Sequence, residues 1–584
     1  MAERTTLNVQ REAVMGKNYS GYDDSPLSTF LRAGHQHEKE VAAVKLSTTT
    51  YRRHHGIYYT PYSIAKKIFD DLFKLDKNLS IKSTFLDPCS GHGIFIIAYI
   101  DLVVEKFKLS KQTDFQDTMD RIYYADIDPT AIKLLRASIP LYIKEKYGHD
   151  VSLKLSNSYL GNSLYDNTGS IIKKVDLRKV FNKPEGFDIV ATNPPYRLLK
   201  ATSKGYGDEE GGRHREELKK LIHFLRAEKH YPLNEGTLNL YKLFTEEIVK
   251  SLVNAKGSFG LLVPQTLLND KQSSDLRRSI LEFKLSPIHI IPETNSFFAD
   301  ISQAFCFFGG TKASRNGSIE VISNVSSEDD LQGSSVSIPK IELAKISEDL
   351  PIIAQHQEGW ALLEKIHRFP SIKNLPQLKN LRGELDLTLD KKAISRDKTN
   401  WQLARGSNIG PMRLKPLSEY VSAWFVGRTP KQKYLREERI ACQQIANIHA
   451  NKRIKFAMVP AGIILANSCN FVAFGPDSLW GAEPFSLKYL LGILNSPVIE
   501  WRFRLTSSNN HVSNYEIGDL PIPVPSINDR KEIEDLLDAV DDSNNIRNVN
   551  KLNDCIYKLY GLDKEEIAII CGSTNLSTSQ GQLL

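Results

Sequence analysis

An apolar strand that runs straight into two prolines constrains this chain more than any other stretch. Ile189-Val190-Ala191 reads as a buried strand, and Asn193-Pro194-Pro195-Tyr196 stops it abruptly. Each proline fixes φ and lacks an N–H, so the strand tip is rigid and exposed. The Pro194 carbonyl and the Asn193 side-chain oxygen can then both point into a cleft as acceptors, with the flat ring of Tyr196 beside them. Two acceptors and a ring form a clamp for a planar group with an exocyclic amine, such as the Watson–Crick edge of adenine. The plainer account of the same four residues is a proline-rich strand-to-loop turn.

The segments before the clamp decide between these accounts. Gly56-Ile57-Tyr58-Tyr59-Thr60-Pro61 precedes Ile64, Ile68, Leu72 and Phe73 at helical spacing, with Thr60 or Ser63 available as N-cap. Phe85-Leu86-Asp87 then reads as a short strand, Pro88 to Gly93 as a glycine turn, and Ile94 as the start of a helix. Ligands of open α/β sheets bind beyond the carboxyl ends of the strands, where glycines allow close approach to the backbone. A carboxylate at Asp87 repels phosphate and suits a cationic or hydroxyl-bearing ligand. Ile122 to Asp126 is a second strand ending in an acid, placed to accept from ribose hydroxyls. A third unit ends at Leu160-Gly161-Asn162, where Asn162 can face an adenine ring. Each taken alone has a structural explanation: helix cap, turn former, loop residue. Their order ahead of Asn193 favours a cofactor site.

Tyr59-Thr60-Pro61, Asp87-Pro88-Cys89-Ser90-Gly91-His92-Gly93, Asp126, Asn193-Pro194-Pro195-Tyr196 and Phe297-Phe298 resemble, in that order, the motifs of γ-class DNA adenine-N6 methyltransferases of type II restriction–modification systems. The resemblance implies an α/β, Rossmann-like domain with a seven-stranded, mostly parallel sheet that uses S-adenosyl-L-methionine. By resemblance, Thr60 and the loop containing Asp87, Pro88, Gly91 and Gly93 hold the methionine moiety, Asp126 the ribose, and Ile127 lies beside the adenine ring. Asn193 is assigned to both the cofactor and the target, and Pro194, Pro195, Tyr196 and Phe298 to the target base, with one of the two phenylalanines left to the core. The family often has Asp where this chain has Asn162, whose amide oxygen can still accept from the cofactor's amine. The implied activity is methyl transfer to N6 of a flipped-out adenine in double-stranded DNA, protecting it from a separately encoded cognate restriction endonuclease.

The rest of the chain divides into an N-terminal arm (1–50), the catalytic domain (51–325), a linker (326–349), a mixed α+β target-recognition domain (350–529) and a C-terminal helical segment (530–584). All five tryptophans follow residue 350, so that half has a core of its own. Within it Arg428, Lys431, Arg439, Lys452 and Arg453 surround Gln443 and Gln444. Cations suit phosphates and amides suit base edges, so the mixture fits a DNA-reading surface. Residues 198–213 suggest a mobile loop over the cleft. The charges from Arg213 to Arg226 read mostly as a solvated helix face, one or two of which could reach phosphate.

Lys and Arg number 76 against 69 Asp and Glu, a mild surplus that permits a nucleic-acid partner without requiring one. The six cysteines are scattered, with no metal-ligand spacing, and read as reduced thiols. No export signal or run of eighteen apolar residues is present, so a cytoplasmic protein without a metal or a membrane span is expected. Two further readings remain: a bifunctional restriction–modification enzyme, for which the segment before Gly56 offers no nuclease motif, and a non-catalytic DNA-binding subunit of a defence system. Methylation of a protein glutamine would use a similar clamp but would not need the basic, amide-rich second half.

Overall fold

A computed structural model describes residues 25–45, 60–168, 171–201, 208–227, 229–298, 303–312, 317–353, 355–398, 401–417, 424–427, 429–447, 450–475, 484–507, 510–543 and 546–574. The chain divides into two compact units, Met1–Lys340 and Ile341–Leu584.

In the first unit, helix α1 (Pro26–Lys45) is followed by α2 (Tyr62–Leu75), β1 (Phe85–Asp87), α3 (Ile94–Phe107), β2 (Ile122–Asp126), α4 (Pro129–Tyr147), β3 (Ser158–Leu160) and β4 (Phe187–Thr192). Then come α5 (Asp208–Ala227), α6 (Leu240–Glu247), β5 (Val253–Pro264), β6 (Lys284–Leu285), β7 (Ile288–Ile291), β8 (Phe305–Thr311), β9 (Ser318–Ile322) and β10 (Val336–Pro339). These ten strands form one sheet, in the order β10-β9-β7-β8-β5-β4-β1-β2-β3, with β6 pairing to β8. Among the described residues, seven of them, β3-β2-β1-β4-β5-β8-β7, make a mostly parallel sheet, and β6, β9 and β10 extend it. From β3 through β5 every neighbour is parallel, and β8 enters antiparallel to both β5 and β7.

Short apolar strands alternating with helices make this parallel half, because both of its faces must be covered. Phe85, Leu86, Ile189, Val190 and Ala191 are all buried. Helix α2 sits on the far half of the sheet, burying Ile64, Ile68, Phe69, Leu72 and Phe73. It comes so close that a Cβ at Gly260 of β5 would stand 2.4 Å from Ile68 Cγ2. No side chain caps α2, whose N-cap is Pro61, so neither Thr60 nor Ser63 serves as expected. Helix α1 packs on α4, and its Phe30 ring lies 5.0 Å from the ring of His92 and 6.1 Å from that of Tyr142.

The chain divides within the expected linker, after Lys340. Residues 326–340 stay with the first unit: Ser327 and Asp330 form a capping box, and β10 supplies the outermost strand beyond β9. Charge and weak periodicity there reflect an edge strand with one solvent face rather than a tether.

The second unit holds a five-stranded sheet, with Arg439–Gln443 at its centre between Phe456–Val459 and Cys469–Phe474, and a four-stranded sheet around Trp401–Ala404. Each has its own apolar cluster, one including Ala441, Val459 and Phe471, the other Leu403, Phe425 and Ile464. Trp360 and Trp501 are buried in this unit. Helices Ile527–Ser543, Ile546–Leu559 and Lys564–Thr574 belong to the same unit, not to a separate C-terminal segment.

Candidate functional site

Register brings the site together. Leu86 of β1 pairs with Val190 of β4 and with Tyr123 of β2, all parallel, so Asp87, Asp126 and Asn193 leave the sheet at the same edge. Strand order reverses at β1, with β2 on one side and β4 on the other, the switch point beyond which open α/β sheets bind ligands.

The loop after β1 is built by its own backbone. Cys89 N–H donates to Asp87 Oδ1 at 3.1 Å, Ser90 N–H to the Ala125 carbonyl at 2.9 Å, and Gly91 N–H to Asp126 Oδ2 at 2.8 Å. Gly93 has φ +100°, and a Cβ there would meet Ile139 Cδ1 at 2.8 Å, so glycine is required where α3 begins. Asp126 also accepts Asp128 N–H on Oδ1 at 2.9 Å, so backbone donors hold both of its oxygens. Beside it, Ile127 is 67% exposed, an apolar side chain facing solvent at the rim.

Asp87 is 1% exposed, and its Oδ2 is buried without a hydrogen bond. Burial pushes its carboxyl up to about 7, against the moderating effect of the Cys89 N–H bond. Asp126 is raised by the same desolvation, and burial with both carboxylates nearby keeps the Cys89 thiol protonated. The ionised form of Asp87 thus opposes folding: its cost is absent below the ordinary carboxylate range and grows as pH rises through about 7. Asp87→Asn should therefore raise stability by on the order of a few kcal/mol at mildly alkaline pH. Thermal melts should show the gap to wild type widening from pH 5.5 to pH 8.5, and a gap that does not change with pH would remove the buried charge from the argument.

The clamp differs from the sequence expectation in one respect. Asn193 Nδ2 donates to Thr60 Oγ1 at 2.9 Å, and Asn193 Oδ1 accepts from the Tyr196 hydroxyl. The same hydroxyl is 3.0 Å from the Leu262 carbonyl. Thr60 therefore backs the asparagine, and the oxygen read as free for a target amine receives the chain's own tyrosine. The Tyr196 ring is half-buried, 5.5 Å from Phe305 and edge-on to Tyr241. Pro194 is buried and Pro195 half-buried. Phe298 is a core ring, 6% exposed and 4.7 Å from Phe305, whereas Phe297 is the more open of the pair.

Asn162 lies beside the loop but spends its Oδ1 on the N–H groups of Leu164 and Tyr165, at 2.9 and 3.2 Å. Pro88 is held from that side by Ser163 Oγ, which donates to its carbonyl at 2.7 Å. Ser163, Thr192 and Leu262 carry no local motif, and only the fold brings them here. A cavity of about 390 Å³ lined by Lys67, Lys74 and Lys284 follows the other end of α2 and includes none of these residues.

The basic residues assigned to DNA reading separate into groups. Arg439 is fully buried and ion-paired with Glu384 at 3.0 Å. Lys452 donates to the Asn495 carbonyl at 2.9 Å, and Arg453, 1% exposed, to the Ser507 carbonyl. Burial lowers Lys452 to about 8. These three cations hold the second unit together and are corrected from the DNA-contact set, since a fully enclosed head group cannot reach a phosphate. Arg439→Ala should cost about 3–5 kcal/mol in urea unfolding by stranding Glu384, and a loss of DNA affinity without that destabilisation would restore it to the contact set. Lys431 is half-buried and donates to the Gly383 carbonyl at 3.1 Å, and Gln444 accepts from exposed Arg382 at 3.3 Å. Gln443 is half-buried at the end of its strand, and Arg428 lies outside the described residues.

Residues 120–298 match the model of the Eco57I restriction-modification methylase family. Over that stretch the chain is similar to restriction–modification methylases. Its match takes in Asp126, Asn162, the Asn193 clamp and Phe298, and begins after the Asp87–Gly93 loop. Residues 402–522 match a TaqI-like C-terminal specificity domain. Over 181 residues the chain is 26% identical to the type II methyltransferase M.VspI of Vibrio sp. (strain 343), spanning 31% of this chain and 35% of that relative's length. Two solved structures share the fold at 13% identity. The type IIL restriction-modification enzyme MmeI in complex with DNA has a TM-score of 0.50, covering 91% of this chain and 80% of its own. The DrdV–DNA complex has a TM-score of 0.52, covering 92% and 62%. The first match lies in the unit with the parallel-rich sheet, and the second lies in the second unit.

The residues of the methylase domain fit S-adenosyl-L-methionine. Asp87 offers a buried, unbonded oxygen to a cationic group, and Gly91 leaves open space where any side chain would project. Among the described residues no cluster of three or more His, Cys, Asp or Glu could hold a metal, and no helix is long and apolar enough to cross a membrane.

Proposed function

We propose that this protein is a site-specific DNA methyltransferase of a restriction–modification system, acting on N6 of an adenine turned out of the duplex. The observation that carries the reading is Asn193, an amide at the strand tip anchored by Thr60 on its nitrogen side, with its oxygen accepting from the Tyr196 hydroxyl. S-adenosyl-L-methionine, when bound, supplies an electrophilic methyl group.

The chain's own residues do the rest. An adenine amine is a poor nucleophile because its lone pair is delocalised into the ring. Accepting its two hydrogens with Asn193 Oδ1 and the Pro194 carbonyl draws the nitrogen toward tetrahedral geometry and frees that pair. Base entry requires Asn193 Oδ1 to exchange the Tyr196 hydroxyl for the amine. The hydroxyl proton keeps a partner in the Leu262 carbonyl, 3.0 Å away, so the exchange leaves no buried donor unpaired. Asp126 accepts ribose hydroxyls, and Asp87 and the Gly91 backbone hold the cationic end. The cost of extruding the base, roughly a few kcal/mol, is offset by stacking on an aromatic ring.

The specificity domain would supply target choice through exposed positions near Gln444 and Arg382. A cognate endonuclease would be encoded separately. Expressing the protein in a host and sequencing its DNA with modified-base detection tests the reading: N6-methyladenine within one recurring sequence is expected, and DNA with no new modified base would refute it.

A further inference from the structure

Helix α5 is rooted beside the clamp. Leu240 N–H donates to the Arg197 carbonyl at 2.9 Å and Leu199 N–H to the Leu238 carbonyl at 2.8 Å, with Leu198 and Asn239 bridged between them. The excursion that carries α5 therefore leaves and re-enters the fold within a few residues of Tyr196. One face of the helix is settled: Leu218, Leu221 and Leu225 are buried against Leu199, Leu238 and Leu243.

The rest of the helix is strongly asymmetric in charge. From Arg213 to Arg226, five exposed cationic side chains face only two carboxylates, Glu216 and Glu217. A face evolved only for solvation usually pairs opposite charges at i and i+4. Here Lys219 is taken by Glu216 at 2.6 Å and Arg226 by the Gly236 carbonyl, while Glu216 also attracts Arg215 and Lys220 and Glu217 stands four residues from Arg213, so two carboxylates are shared among five cations. At 100° per residue Arg213 and Lys220 lie on one flank of the outer surface and Arg215 on the other. A surplus of three cations over carboxylates, on a helix carried by an excursion whose two ends are tied beside the clamp, complements a polyanion that runs past it.

We propose that α5 is an arm that grips the sugar–phosphate backbone of duplex DNA beside the target base, through Arg213, Arg215 and Lys220, without reading sequence. This rests on the DNA-substrate reading above. Each phosphate neutralised contributes about 0.9 to the slope of log affinity against log salt. The triple variant Arg213→Gln, Arg215→Gln, Lys220→Gln should therefore lower the magnitude of that slope by about 2.7 on a random-sequence duplex, measured from about 50 to about 200 mM salt. The loss in affinity should be the same on DNA containing the methylation sequence, and S-adenosyl-L-methionine affinity should match wild type. Glu216→Gln with Glu217→Gln should tighten binding to both duplexes. A triple variant with the wild-type salt slope, or one weakened on the specific sequence alone, overturns the arm while leaving methylation intact. Wild-type protein that fails to bind duplex at any salt overturns the arm and the DNA-substrate reading together.

Discussion

Asn193→Ala should transfer methyl groups at least about a thousandfold more slowly than wild type while still binding S-adenosyl-L-methionine. The side chain supplies one of two acceptors that localise the amine's lone pair, and such a preorganised contact is worth most when charge develops in the transition state. Removing it also strands Thr60, whose hydroxyl is the partner of Asn193 Nδ2, and releases Tyr196 from Asn193 Oδ1. Neither loss touches the Asp87–Gly93 loop, whose bonds run to Asp87, Ala125 and Asp126. Calorimetry with the cofactor and single-turnover methylation on the same preparation separate the two steps. Wild-type transfer by the alanine variant would exclude the clamp.

Asp126→Ala should lower cofactor affinity by about 10- to 100-fold, corresponding to loss of one or two hydrogen bonds to a charged acceptor. The effect has two sources. The carboxylate would no longer accept from ribose, and Gly91 N–H, which donates to it at 2.8 Å, would lose the partner that shapes the loop. Asp126→Asn keeps an acceptor for Gly91 and should recover part of the loss. Unchanged affinity in the alanine variant would take this residue out of the site.

Much of the methylase domain was legible from local pattern. The Ile189–Ala191 run, the Asp87 turn and the strand ending at Asp126 announce themselves because short apolar strands buried on both faces have few other readings. The outer strands were not legible. The strands Ser318–Ile322 and Val336–Pro339 carry the charge and serine of a loop, so the division after Lys340, inside the expected 326–349, leaves the second of them with the first unit. The DNA-reading set misled for a related reason. Arg439, Lys452 and Arg453 look like surface cations because charge alone does not report burial, and their partners Glu384, Asn495 and Ser507 lie about 40 to 55 residues away.

The order of residues by itself determined the ligand chemistry: an acid at the tip of each of two strands, glycines between strand and helix, and an amide followed by two prolines. Covalent geometry and hydrogen-bonding capacity are properties of residue type and travel with the sequence. What only the tertiary structure decided is which of those groups are free. Tyr196 reaches Asn193 and Leu262 at once, Thr60 turns from helix cap to support, and Phe298 goes inward to Phe305. Each of these outcomes depends on packing between segments far apart in the chain, where shape and the pairing of buried polar groups override local preference.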